Sequence, residues 1–501
     1  MAEVTETGPV EQKNPFLDYV SSVLDECEKK DQISSTVDDG YVLSTGLLSL
    51  DIVMNGGIRS GWITSSGLEA SGKSSLAIKM LGSLAKKNIP GYFIDSEGSL
   101  DTEYACNVAG ISDISEYFGR PSPKGKGWEI PPKIRYTSEN TLEKVFSFMQ
   151  RILLRLPDKL YRQEEKKWYY VFSKEKADVE IMQKLGLKHS LKLYSQTGRY
   201  WCEAPDGNFQ MVFILDSLPG LVTQDVAEDA DGGSKAMALQ ARALSKAVPP
   251  VRGLLRRKHA VFLVINQLRQ APGVMFGPSE YEPCGNYVKF ASDVRNTLNS
   301  RSVPDPFDRG KTEAGSPTGT YGQEPSVEGE GTDTYMYKLI KNTKNKRGTP
   351  FRQGWCRLWI SDYKSKARGF DPVFDCYKYL ETTNQAHIQK KGGRREIIGL
   401  DKFFPELKGK PVQWLDFKLL ILGLVQNNNE LLEKFKEKYE IPLDNEMFNL
   451  YNHCFEQIES GEAFNLMLDS NQEIVKDDSE DIDSFEDLDD SKSIDSEDDF
   501  S

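Results

Sequence analysis

No apolar run in this 501-residue chain approaches the roughly 20 residues needed to cross a bilayer, so no membrane role is expected. The start, Met1-Ala2-Glu3-Val4-Thr5-Glu6-Thr7, has no basic-then-apolar leader. Histidine is scarce: the four are too dispersed for a metal cluster, and His453 beside Cys454 reads as incidental. The seven cysteines (27, 106, 202, 284, 356, 376, 454) include no C-x-x-C pair. That argues against a zinc site and for reduced thiols in a cytosol, so a cytoplasmic location is expected. Basic charge also looks scarce, at a net −13, but the deficit is local. Asn471 to Ser501 holds 14 acidic and 2 basic residues, a net of −12, which leaves −1 for the rest. A near-neutral body is compatible with nucleic-acid binding.

The most informative stretch is Gly67-Leu68-Glu69-Ala70-Ser71-Gly72-Lys73-Ser74-Ser75, which fits G-x-x-x-x-G-K-[ST]. Gly67 and Gly72 let the backbone curl until several N–H groups point at one centre, with no Cβ in the way of a phosphate. Lys73 adds a charge near the outer phosphates, and the Ser74 hydroxyl is suited to Mg²⁺. Gly61 to Ser66 alternates like a strand, and the residues from Ser75 read as a helix whose N-terminus faces the anion. The cofactors expected are therefore ATP and Mg²⁺. Tyr92-Phe93-Ile94 is a short buried strand that ends in Asp95 and Glu97. Ligands of open α/β sheets sit at such carboxyl ends. Glu97 is thus a candidate to activate a water against the γ-phosphate; the bland alternative is a solvated loop acid. Met211 to Leu215 is an apolar strand ending in Asp216, a carboxylate for the magnesium shell.

Around these pieces the chain divides by composition. Residues 1–41 are polar, apart from a helical pattern at 14–24 that could pack on the body or a neighbouring subunit. Residues 157–209, between a helix and the Asp216 strand, are too long for a simple connection and read as an inserted subdomain of a helix and two or three strands. Its aromatics, interleaved with Lys and Arg, could stack bases or form a small core. Residues 302–331, rich in proline and glycine, read as a disordered insertion. Residues 373–470 read as a small, mostly helical C-terminal domain, and 471–501 as a disordered acidic tail.

The motifs closely resemble those of the bacterial RecA recombinases, from about Val42 to Asp371. They run in family order: Ser44-Thr45-Gly46 to Asp51, the phosphate loop with Glu69 inside it, Phe93 to Tyr104, Leu215-Asp216-Ser217, Ile265-Asn266-Gln267-Leu268-Arg269, Gly273 to Gly277, Gly285-Asn286, Lys289-Phe290, and Lys344-Asn345-Lys346 before Pro350-Phe351. The resemblance implies an α/β fold, a RecA-like P-loop ATPase core spanning 42–372 with the two insertions. It implies that Gly67 to Ser75 hold the triphosphate, Ser74 and Asp216 serve magnesium, and Glu97 is the hydrolytic base. Asp101 and Tyr104 would contact adenine. Gln267 would sense the γ-phosphate, and Lys344 and Lys346 would reach ATP on the neighbouring subunit. A first DNA loop would lie between about Gln224 and Leu239, with contacts at Met237, Arg242 and Ser245. A second, Arg269 to Asn286, would touch DNA through Arg269, Met275, Phe276, Gly285 and Asn286; Met275-Phe276 as ordinary core is the alternative.

The implied partners are single-stranded DNA, homologous duplex DNA and further copies of the chain in a helical filament, with single-strand-binding or loader proteins as helpers. The implied activity is DNA-dependent ATP hydrolysis coupled to homologous pairing and strand exchange. Rival readings are a ring helicase on the same core and a non-hydrolysing DNA-binding assembly protein. Three departures mark a divergent relative, compatible with a virus-encoded one: Pro249-Pro250 stand where a basic helical residue is expected, Cys284 replaces a glycine, and Pro272 replaces an apolar residue. Lys390-Lys391 and Arg394-Arg395 could form a duplex-DNA patch or simply a solvated turn.

Overall fold

The computed structural model describes residues 20, 22, 23, 41–162, 165–172, 192–194, 199–228, 236–270, 280–284, 286–299, 321–361, 364, 368–391 and 394–467. The expected N-terminal helix, residues 229–235 of the expected first DNA loop, Met275, Phe276, Gly285, the 302–320 stretch and the acidic tail lie outside these residues, in whole or nearly so.

A ten-stranded sheet carries the site. Its parallel part comprises β1 (Gly61–Gly67), β2 (Gly91–Asp95), β3 (Ile134–Thr137), β8 (Met211–Asp216), β9 (Ala260–Gln267) and β10 (Val294–Asn299), in the order β10-β1-β9-β8-β2-β3. Strands buried on both faces need near-continuous apolar runs, and Phe213-Ile214-Leu215 and Val261 to Ile265 supply them. Successive side chains feed opposite layers. Ile63, Phe93, Ile214 and Leu263 pack with Leu76, Met80 and Leu84 of α2 (Lys73–Lys86). Trp62, Ile94, Phe213 and Phe262 pack with α4 (Leu142–Arg155) and α5 (Ala236–Arg257). The register pairs Gly67 with Gln267 and Asp216 with Asp95, so the carboxyl ends of four strands align. α5 runs through Pro249 and Pro250, both on its exposed side between the buried Val248 and Val251.

The insertion forms a separate antiparallel sheet of four strands, more than expected: β4 (Asp158–Arg162), β5 (Lys167–Phe172), β6 (Lys192–Tyr194) and β7 (Arg199–Glu203), in the order β4-β5-β7-β6. Its expected helix falls on undescribed residues. Several of its aromatics are internal: Tyr169 and Trp201 form a small core with Leu160 and Val171, and Trp168 packs at a tilt against His259 of the main body, ring centroids 4.0 Å apart.

Two expectations are corrected. The 302–331 stretch is not loose throughout: residues 321–325 form β11, paired antiparallel with β12 (Thr332–Asn345). β11 is held by Glu324, a buried acid invisible to composition. It bonds the guanidinium of Arg357 on β13 (Gln353–Ser361) at 2.8 Å and accepts from Trp414 Nε1 at 2.9 Å. The C-terminal region, mostly helical, is also not a self-contained domain. Besides α7 (Pro372–Thr382), α8 (Trp414–Gln426), α9 (Asn429–Tyr439) and α10 (Leu450–Ser460), it contains a sheet of His387–Lys391, Arg394–Ile398 and Val412–Gln413. There Lys390 pairs with Arg395 and Lys391 with Arg394 across one hairpin. Nor does this region own a private core: Phe374, Phe417 and Leu450 share one apolar cluster with Leu48 and Ile52 of α1 (Leu48–Val53) and Tyr337 of β12.

Arg357 is fully buried and also bonds Asp371 at 3.2 Å. Burial alone would lower its pKa, but the Glu324 and Asp371 carboxylates outweigh that and hold it charged. Arg357→Met is expected to cost about 3–5 kcal/mol of stability, because two acids stay buried without their partner. Denaturant unfolding followed by tryptophan fluorescence checks this.

Candidate functional site

Gly67 to Ser75 leaves β1 and enters α2. Gly72 sits at φ 92°, a conformation that side-chain-bearing residues avoid, and Ala70 adopts φ 55° beside it. A Cβ on Gly67 would lie 2.3 Å from Ser71 Oγ and 2.8 Å from Leu298 O, so only glycine fits. Lys73 Nζ donates to Leu68 O at 2.5 Å across the loop, and burial lowers its pKa. Ser74 is exposed at the mouth, and its hydroxyl faces Asp216 at the end of β8. Glu69 is also exposed there.

Asp216 is pushed up to about 6, first by burial and then by the Glu97 and Asp95 carboxylates, against the Ser74 hydroxyl and Lys73. A buried carboxylate that ionises reluctantly, with a hydroxyl and a lysine beside it, is a donor set that a hard divalent cation satisfies, so these residues fit magnesium. The folded-state pKa lies above the ordinary 3.8, so the protein without nucleotide loses stability as pH rises through about 4–6. Magnesium competes with that proton. Magnesium-dependent ADP affinity is therefore expected to be about fourfold weaker at pH 5.5 than at 7.5, read by calorimetry.

Glu97 stands on the loop after β2, exposed to the cleft. Asp95 shapes that loop: it is buried and accepts from Ser99 N (3.2 Å), Leu100 N (3.0 Å) and the Tyr136 hydroxyl (3.1 Å). Ser96 ties the loop to Ser217, donating to its carbonyl at 2.6 Å. Glu97 Oε1 accepts from Ser217 Oγ at 2.5 Å and from Gln267 Nε2 at 2.9 Å. The candidate base and the candidate sensor are thus in direct contact. Asp101 caps α3 (Thr102–Ala109) by accepting from Tyr104 N at 2.7 Å, and the Tyr104 hydroxyl meets Ser75 Oγ.

The expected second DNA loop, residues 269–286, departs from the same place. Leu268 N donates to Gly67 O at 2.9 Å, and Arg269, exposed, pairs with Tyr281 in a two-residue ladder. At the far end Glu282 accepts from Ser66 Oγ at 2.8 Å and pairs with Arg295 at 2.6 Å. Sequence reading missed Glu282, one of two acids in a polar stretch, whose partner lies 216 positions away. Cys284 takes φ 72°, the glycine-like conformation, so its Cβ bears strain that a glycine would not. Its thiol, pushed up to about 12 by burial, lies 3.5 Å from Gln240 of α5. Asn286 opens α6 (Asn286–Ala291). On α5, Arg242 and Ser245 share an exposed face with Pro249, and Met237 lies in the first turn.

Lys344 and Lys346 are not brought to this site. Among the described residues, Lys344 Nζ donates to Lys289 O (2.7 Å) and Phe290 O (3.2 Å) at the end of α6, and Lys346 pairs with Asp293 at 3.6 Å. Asp293 also meets Arg256 at 3.0 Å.

A glycine loop between strand and helix, with two carboxylates at adjoining strand ends, defines a P-loop nucleotide-binding fold of the kind found in ATPases. A model of the RecA N-terminal domain matches residues 28–129 and 204–311, and the interruption contains the inserted sheet β4–β7. Protein RecA of Aquifex pyrophilus is 26% identical over 255 residues, covering 50% of this chain and 53% of that protein. The chain thus spans about half the length of that relative. Protein RecA of Thermus aquaticus is 26% identical over 336 residues (67% and 69%), and that of Clostridium botulinum strain Eklund 17B is 25% identical over 404 (80% and 78%). These matches support a divergent RecA-type family for this chain. Among the described residues no helix is long and apolar enough to cross a membrane.

Proposed function

We propose that this protein is a DNA-dependent ATPase that assembles as a helical filament on single-stranded DNA and promotes homologous pairing and strand exchange. The observation that carries the reading is the chain of bonds from Glu97 to Gln267 (2.9 Å) and, one residue on, from Leu268 to Gly67 (2.9 Å). It makes the phosphate loop, the water-activating acid and the root of the 269–286 loop one unit.

In this mechanism Gly67 to Ser75 cradle the triphosphate and Lys73 leaves the Leu68 carbonyl for it. Magnesium, held by Ser74 and Asp216, would neutralise charge on the phosphate oxygens. Glu97 takes the proton of the attacking water, while Ser217 and Gln267 fix the carboxylate's direction. A γ-phosphate near Glu97 competes for the Gln267 amide, so the nucleotide state is passed to the adjoining loop. Arg269, Met275, Phe276, Gly285 and Asn286 of that loop, with Met237, Arg242 and Ser245, would meet DNA mainly through its backbone, which permits binding without sequence preference. Asp101 and Tyr104 would face adenine, and Lys344 and Lys346 the nucleotide of the next protomer.

The test is ATP hydrolysis with and without single-stranded DNA, paired with electron microscopy of the ATP-bound protein. Stimulated hydrolysis and open helical filaments support the reading. Closed rings would favour a helicase, and no hydrolysis a non-catalytic DNA-binding protein.

A further inference from the structure

Lys338 sits on β12 with its side chain fully buried, beneath the phosphate loop rather than on it. Its ammonium donates to Ala70 O at 2.9 Å and lies beside Met336 Sδ. Ala70 is the non-glycine residue at φ 55°, next to Ser71 and Gly72, so its carbonyl has been turned away from the path of an ordinary strand or helix. A buried lysine is costly, so its place under the loop calls for a reason.

We propose that Lys338 is a second lysine of the nucleotide site, a positioning residue that pins the left-handed turn of the phosphate loop at Ala70 and supplies positive charge from below to a bound polyphosphate. The inference rests on reading Gly67 to Ser75 as a nucleotide site, and it adds a residue that the loop motif does not contain. The electrostatics agree. Burial lowers the Lys338 pKa from its ordinary 10.5 to about 8; among the described residues the Cys356 thiol of β13 raises it and Lys73 of α2 lowers it further. A polyanion in the loop favours the charged ammonium, so binding near pH 8 to 9 takes up a proton at Lys338. By linkage, nucleotide affinity falls as pH rises through that range.

The experiment compares wild type, Lys338→Met and Lys73→Ala for ADP binding by calorimetry between pH 7 and 9.5, with thermal melts of each. Lys338→Met is expected to melt no lower than wild type, since an apolar side chain of similar length replaces a buried charge. It should bind ADP about tenfold more weakly at pH 7 and lose most of the pH slope, while Lys73, still present in it, keeps its own contribution. A variant that binds with wild-type affinity and slope overturns the proposal. If Lys338→Met does not fold, proton uptake by the wild type at pH 8.5, measured in two buffers of different ionisation enthalpy, decides: no uptake overturns it. Failure of the underlying site reading looks different, because the wild type itself would then not bind ADP, or Lys73→Ala would bind it normally.

Discussion

Lys73→Ala is expected to lower ATP turnover by about 10²–10³-fold and to abolish ATP-dependent assembly on DNA. Among the described residues the lysine's hydrogen bonds run to Leu68 O and Ser71 Oγ of its own loop. The alanine variant should therefore fold normally, with a melting temperature near that of wild type. Fluorescent-nucleotide titration separates the cases: normal ATP binding would show that the loop is not the phosphate site, whatever its glycines suggest.

The second large effect is expected at Glu97. Glu97→Gln keeps the size and one acceptor oxygen but cannot take a proton. ATP binding should be within about twofold of wild type, while hydrolysis falls about 10²–10⁴-fold, the usual range for a lost general base. On the proposed function, filaments formed by the variant should persist, because release would require turnover. Ser217 and Gln267 both lie on the same oxygen, Oε1. An amide can present its oxygen to both donors, so the local geometry survives and the defect is chemical. Single-turnover kinetics with bound ATP is the decisive measurement, and wild-type turnover would remove Glu97 from this role.

The nucleotide end of the molecule was legible because its chemistry forces a contiguous pattern. Gly67, Gly72, Lys73 and Ser74 must be close in sequence to encircle one anion, and Glu97 and Asp216 must terminate apolar strands. The rest is held by partners far apart in the chain. Glu324 lies in a glycine- and proline-rich stretch that looks solvated, and only the fold reveals that Arg357, Trp414 and Asp371 converge around it. Lys338 reads as one more basic residue on a strand until its carbonyl partner 268 positions away is seen. Lys344 and Lys346 were singled out by resemblance, and their bonds within this protomer, to α6 and Asp293, had no counterpart in any local pattern.

That arrangement at α6 matters beyond the single protomer. The 269–286 loop is entered through Leu268, fastened to the phosphate loop of its own subunit, and left through a short helix whose last carbonyls rest on Lys344. Should the nucleotide of the adjacent subunit draw Lys344 away, the exit of the loop is disturbed just as its own nucleotide disturbs the entrance. On the proposed reading the segment would then work as a coincidence detector: one terminus would report occupancy at home, the other next door, and DNA would be gripped firmly only when both agree.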